Sequence, residues 1–171
     1  MQRRAFLAFA ASSASLALIS LNGCGFALRK APDFAFTTLY SSLAESSPLG
    51  VELRRSLEAT RKVKVISDAG RINEAQVILE VLLDQREKVV LSLNATGQVR
   101  EFQLRLRFRF RLRTPAGKEL IPASEIALQR DISFNESAVL AKEAEENLLY
   151  RDMQSDVVQQ IMRRLAAVKE L

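Results

Sequence analysis

Residues 102–113 alternate apolar and polar positions without a fault. Phe102, Leu104, Leu106, Phe108, Phe110 and Leu112 fall on one parity; Gln103, Arg105, Arg107, Arg109, Arg111 and Arg113 fall on the other. Successive side chains of a strand point to opposite faces, so this run sorts cleanly only as a β-strand. Its apolar face needs a cover and its arginine face does not. The chain must therefore supply a layer that packs on one side of a sheet.

The flanking segments supply that layer. Residues 34–40 are rich in Phe and Thr and read as a first strand. Residues 41–47 read as a loop. Ser47 followed by Pro48 reads as an N-cap with proline at the first helical position, and Leu49, Leu53 and Leu57 recur every four residues until about Thr60. Residues 62–66 form a short alternating strand, and Asp68-Ala69-Gly70 a turn. From Gln76 the pattern is strand-like again. Val77, Leu79, Val81 and Leu83 are expected on one face, residues 84–88 as a polar interruption or bulge, and Val89, Leu91 and Leu93 as the resumed strand. Asn94-Ala95-Thr96-Gly97 predicts a hairpin turn, residues 98–113 the long partner strand, and Thr114-Pro115-Ala116-Gly117 a second turn. Residues 126–134 predict the last strand. Leu140, Ala144, Leu148, Met153, Val157, Ile161 and Leu165 then step at helical spacing along one long helix, with acids early and bases late, as the helix dipole favours. The expected architecture is α+β: two helices packed on one face of a mixed, mostly antiparallel sheet, a two-layer sandwich.

Residues 100–113 hold six Arg and one Glu. Five of the arginines, from Arg105 to Arg113, span roughly 26 Å at about 3.3 Å per residue. Like charges so close repel unless cross-strand acids or a bound anion answer them. Glu80 and Asp84 share a parity on the preceding strand and are the expected partners. The plain alternative to a binding surface is a solvated face with partial ion pairing. Arginine's planar fork suits phosphate and carboxylate, which favours an anionic partner. An extracytoplasmic location argues against nucleic acid and for an anionic glycolipid or an acidic protein wall.

That location is read at the N-terminus. Arg3 and Arg4 precede a stretch free of charge from Ala5 to Gly25, ending in Leu21-Asn22-Gly23-Cys24. Residues 1–23 are expected to be a signal peptide that ends at a lipobox-like site, with Cys24, the only cysteine, as the lipidated first residue of a mature domain over residues 24–171. The twin arginines fit both Sec and twin-arginine export. Gly25 after the Cys, rather than Asp, points to the outer membrane. Composition narrows the chemistry further. There is no His and one Cys, so His-based triads, imidazole metal ligands and thiolate clusters are excluded. A hydrolase built on Glu80 and Asp84 would need a tuning pocket that the sequence does not suggest. No catalytic, metal or cofactor site is expected.

Several motifs, in order, resemble one family. Cys24-Gly25-Phe26-Ala27-Leu28-Arg29 resembles the C-G-[FW]-x-L-R start of LptE lipoproteins. Gly97-Gln98 with Glu101-Phe102-Gln103-Leu104 resembles their hairpin and strand. Leu140-Ala141-Lys142-Glu143, Arg151-Asp152-Met153 and the run from Gln159 to Leu165 resemble their long C-terminal helix. The resemblance implies a non-enzymatic outer-membrane lipoprotein that plugs the β-barrel LptD, helps assemble it, and binds lipopolysaccharide on its way to the outer leaflet. It implies Asn94, Ala95, Thr96 and Gly97 as a tip lodged against the barrel; here that tip carries no charge. Together with the arginine pattern it implies Arg105, Arg107, Arg109, Arg111, Arg130 and Lys142 as lipopolysaccharide ligands. A helix-surface pairing of Lys142 with Glu146 is the plain alternative. An autonomous periplasmic lipoprotein for another anionic ligand is the competing reading of the whole chain.

Overall fold

The computed structural model describes residues 32–171, so the signal segment and Cys24 lie outside the described residues. Strand β1 (Thr38–Ser41) leads to helix α1 (Pro48–Ala59), then β2 (Lys64–Ile66), a 3-10 turn (Ala69–Glu74), and three long strands: β3 (Val77–Leu93), β4 (Val99–Arg113) and β5 (Glu119–Ser133). A second 3-10 turn (Glu136–Ala138) feeds helix α2 (Val139–Ala167). The sheet runs β2-β1-β3-β4-β5. Strand β1 is parallel to both β2 and β3, while β3, β4 and β5 are antiparallel. This is the expected α+β fold, a mixed sheet with its helices against one face.

Local chemistry sets the elements. The Ser47 hydroxyl accepts from the Gly50 amide at 3.3 Å and Pro48 opens α1, so one orphan donor is capped and one is removed. Leu49, Leu53 and Leu57 bury one stripe of α1. Met153, Val157, Ile161 and Leu165 do the same for α2, and both stripes join Leu104, Leu106, Phe108, Phe110 and Leu112 of β4, all fully buried, in one core. Burying a Leu or Phe side chain contributes about 1.5–3 kcal/mol, so β4 is the spine of the fold. In the two hairpin turns Gly97 takes φ +84° and Gly117 φ +92°, the left-handed region that glycine enters without a Cβ clash.

Three expectations are corrected. First, β5 begins at Glu119, not near Ile126; its first residues put half-buried Leu120 and Ile121 side by side, followed by Pro122, and the register shifts opposite Phe110 and Leu112, so alternation is lost there. Second, residues 84–88 do not interrupt β3. The irregularity sits at Leu82, which is skipped between Val81↔Phe110 and Leu83↔Arg109. One extra residue reverses the parity of the strand from Leu83 to Val90, until further register shifts at Leu91 and beyond change it again. Leu83 therefore leaves the core face, opposite Arg109, and Asp84, Arg86 and Lys88 turn toward the helices, opposite Phe108, Leu106 and Leu104. Third, the inward stripe of α2 changes at its N-terminal half. Leu140, Ala144 and Leu148 are exposed, Leu140 at 82%, while Leu149 and Tyr150 turn inward. The helix rotates its polar side to meet the polar side chains that the bulge delivers. Arg86 donates to Gln154 at 2.8 Å, the Gln154 amide donates to Glu52 of α1 at 2.8 Å, and the Tyr150 hydroxyl donates to the Glu87 carbonyl at 2.7 Å.

Candidate functional site

The outer face of β4 carries the arginine ladder in register with acids on both neighbours. Glu80 of β3 bonds Arg111, and also Arg113 at 2.6 Å. The bond from Arg113, seconded by Arg111, holds the Glu80 carboxyl below its ordinary value against partial desolvation. Glu125 of β5 faces Arg109 and accepts from Arg107 at 2.8 Å, which lowers its carboxyl and raises the Arg107 guanidinium. Arg105 donates to the Gln103 side chain at 2.7 Å, and Gln103 donates to Asp131 at 3.0 Å. Glu87 stands opposite Arg105 and Glu119 opposite Arg113. Arg109 has no ion-pair partner among the described residues. The ladder is thus largely answered within its own sheet. Of the two acids expected to answer it, Glu80 does; Asp84 does not, because the bulge puts it on the helix face. There it is exposed yet desolvated on one side, which pushes its carboxyl up.

Arg130 and Lys142 do not join the ladder. Arg130 pairs in register with Leu104, whose side chain is in the core, so it belongs to the helix face. It donates to Asp156 of α2 at 3.2 Å and to the Gln129 carbonyl at 2.9 Å. Lys142, in the first turns of α2, donates to Glu145 at 2.9 Å and to the Ser133 hydroxyl at 3.0 Å. Glu146, its expected partner at i+4, is instead taken by Lys88 at 2.6 Å. The six candidate ligands therefore divide between two faces of the sheet.

A second arrangement emerges around Lys142. The start of α2 and the ends of β4 and β5 enclose a shallow pocket with two ammonium groups, Lys88 and Lys142, over an apolar floor of Phe102, Ile132 and Phe134. Phe102 and Phe134 meet edge to face at 5.4 Å, and the Lys88 ammonium lies 4.4 Å from the Phe102 ring centre. Glu143 and Glu146 complete the rim. Lys88, Phe102 and Phe134 escape sequence reasoning because only the Leu82 bulge turns Lys88 to this side. Chemically, the pocket offers cations beside aromatic and aliphatic surface, a match for an amphiphile with an anionic head.

The tip residues Asn94, Ala95, Thr96 and Gly97 are all exposed. They are nevertheless ordered: the Asn94 side-chain oxygen accepts from the amides of Thr96 at 3.0 Å and Gln98 at 2.9 Å. Around them lie exposed Val90, Leu91 and Leu93, and across from them Val139 and Leu140. No helix among the described residues is long and apolar enough to cross a membrane, and none of their acidic side chains cluster as metal ligands.

Comparison with known proteins fits this geometry. The model of the family described as "LptE: Lipopolysaccharide-assembly" matches residues 36–165. The LPS-assembly lipoprotein LptE of Pectobacterium atrosepticum is 29% identical over 155 residues, covering 90% of this chain and 82% of that one. Its counterpart in Yersinia pestis is 30% identical over 157 residues, covering 90% and 73%. Among solved structures, an uncharacterized lipoprotein B from Nitrosomonas europaea superposes with a TM-score of 0.70 at 36% identity, covering 84% of this chain and 92% of that one. The rare lipoprotein B from Shewanella oneidensis gives 0.62 at 27% identity, covering 77% and 93%.

Proposed function

Since the chain belongs to the LptE family of lipopolysaccharide-assembly lipoproteins, we propose that it is a non-enzymatic outer-membrane lipoprotein, anchored through Cys24, that lodges in an LptD-like β-barrel, helps it assemble, and binds lipopolysaccharide in transit. One observation carries the ligand part: the pocket in which Lys88 and Lys142 stand over Phe102, Ile132 and Phe134. Lipopolysaccharide is an anionic amphiphile, and a basic and aromatic pocket meets both halves of it. The arginine ladder offers charge but no apolar surface, since the residues between its members are buried in the core. Arg105, Arg107, Arg109 and Arg111 are therefore the weaker ligands, with Arg109 the most available because it has no intramolecular partner among the described residues. Arg130 is engaged with α2 and is weaker still.

The barrel part is supported at the hairpin end of the sheet, next to the pocket. Val90, Leu91, Leu93, Leu140 and Leu148 are exposed together with the uncharged tip. An apolar end of this kind marks a protein or lipid contact more often than bare surface. An autonomous periplasmic lipoprotein would leave it wet. Photo-crosslinkers at Ala95 and Thr96, with purification in mild detergent, test the barrel reading: a large outer-membrane barrel should be captured. Titration with lipopolysaccharide tests the ligand reading separately: K88M/K142M should weaken binding several-fold, and unchanged binding with folding verified would remove the pocket from the proposal.

A further inference from the structure

Strand β5 forms one edge of the sheet, and its outer side pairs with no other strand among the described residues. The Phe134 amide donates to the Arg100 carbonyl at 2.8 Å. In an antiparallel pair, residues that exchange hydrogen bonds alternate with residues whose amide and carbonyl point away. With β4 and β5 in unbroken register from Glu101↔Ser133 to Phe110↔Ser124, the even-numbered residues of β5 bond to β4. Glu125, Ala127, Gln129, Asp131 and Ser133 therefore turn their backbone groups to the open edge. The side-chain bonds agree: the Gln129 carbonyl accepts from Arg130 at 2.9 Å and the Glu125 carbonyl from Arg164 of α2 at 3.3 Å. Arg130 is braced in place by Asp156. No described side chain accepts from the amides of Ala127, Gln129 or Asp131.

An open edge of this length is a template for another strand. It is also self-complementary. An antiparallel pairing of two β5 strands centred on Gln129 sets Ala127 opposite Asp131 and Ile126 opposite Ile132, with no like charges opposed. A centre at Leu128 would set Glu125 against Asp131 and is disfavoured. We propose that the β5 edge is a strand-pairing surface for a second copy of this chain, held shut by Arg130 and Arg164, whose guanidinium groups occupy two of the five carbonyls turned to that edge, those of Gln129 and Glu125. The guard keeps the lone lipoprotein monomeric, and pairing requires both guanidiniums to leave.

The test compares the full mature chain with its R130A/R164A variant in the same detergent, by analytical ultracentrifugation and residue-level amide exchange. In the unaltered protein, the amides of Ala127, Gln129 and Asp131 should exchange at least roughly tenfold faster than those of Ile126, Leu128 and Ile132. Comparable protection for both sets would overturn the open-edge assignment without any variant. In the double variant the protein mass should double and the three edge amides should slow by about tenfold or more, while Leu104 and Leu106 stay protected as a check on folding. A variant that stays monomeric, or that doubles in mass with the edge amides still exchanging freely, would overturn the proposal. Should the double variant fail to fold, D156A releases the brace on Arg130 and should give a smaller shift of the same sign; no shift would count against the guard.

Discussion

Replacing Glu146 by Gln should weaken the fold and strengthen ligand binding, and the opposite signs make it the sharpest test of the pocket. Glu146 sits on α2 with its carboxylate 2.6 Å from the Lys88 ammonium, the two side chains 22% and 37% exposed. Two unit charges about 4 Å apart interact by about 4 kcal/mol at an effective dielectric near 20. Partial exposure and side-chain ordering reduce the net value of such a pair to about 1 kcal/mol. An anionic head that binds Lys88 must displace this carboxylate. Removing the charge therefore returns about 1 kcal/mol to the complex, a roughly fivefold gain in affinity. The same change costs the free protein a similar amount, lowering its melting temperature by a few degrees. The assays are lipopolysaccharide titration at fixed ionic strength and thermal unfolding of the same preparations. K88M in parallel should lose both stability and affinity. If E146Q weakened binding, or left it unchanged while K142M also had no effect, the reasoning that these two lysines receive the ligand would fail.

Other outcomes rest on the same geometry. Phe108→Ala, at a fully buried position in the middle of β4, should cost about 3–5 kcal/mol in denaturant unfolding. Glu80 and Glu125 have lowered carboxyl pKa values, so their ion pairs add stability above the ordinary carboxylate range and lose it as pH falls through the folded values; stability should drop below about pH 4, and E80Q should flatten that limb. Asp84 has the opposite sign, because desolvation raises its carboxyl and its charged form costs stability at neutral pH. D84N should therefore unfold at the same or higher denaturant concentration at pH 7, with the difference shrinking as the medium is acidified. Removing the charge of Arg109 alone should leave thermal stability within about 0.5 kcal/mol, because no ion pair is lost among the described residues.

The fold was legible in the sequence where side-chain period and burial agree. The β4 alternation required a covered sheet face, the Leu49–Leu53–Leu57 spacing and the Met153–Val157–Ile161–Leu165 spacing provided the cover, and Ser47-Pro48 marked a helix start that the structure reproduces. What escaped was set by pairing rather than pattern. The beginning of β5, with adjacent Leu120 and Ile121 and then Pro122, lacks strand alternation and pairs with β4 through a register shift. Leu140, Ala144 and Leu148 keep helical spacing but face outward, because the surface beneath this half of α2 presents Arg86 and Lys88, and Glu146 and Gln154 turn in to meet them.

That polarity traces to one residue. Paired straight on from Val81↔Phe110 without the shift at Leu82, Asp84, Arg86 and Lys88 would stand opposite Arg107, Arg105 and Gln103 on the outer face, and Leu83, Gln85 and Glu87 would face the helices. The bulge exchanges the two sets. It places Glu87 opposite Arg105, so the ladder gains an acid, and it keeps Arg86 and Lys88 from adding positive charge to an already basic face. On the other side it delivers Arg86 to Gln154 and Lys88 to Glu146, and so turns one end of a helix–sheet interface from a dry core into a basic pocket with an aromatic floor. A hydrophobicity pattern cannot announce this, since Val81, Leu82 and Leu83 are all apolar and either register looks equally good locally. The choice is made by charge across three strands and a helix. The pocket and the neutralised ladder are thus two consequences of the same insertion.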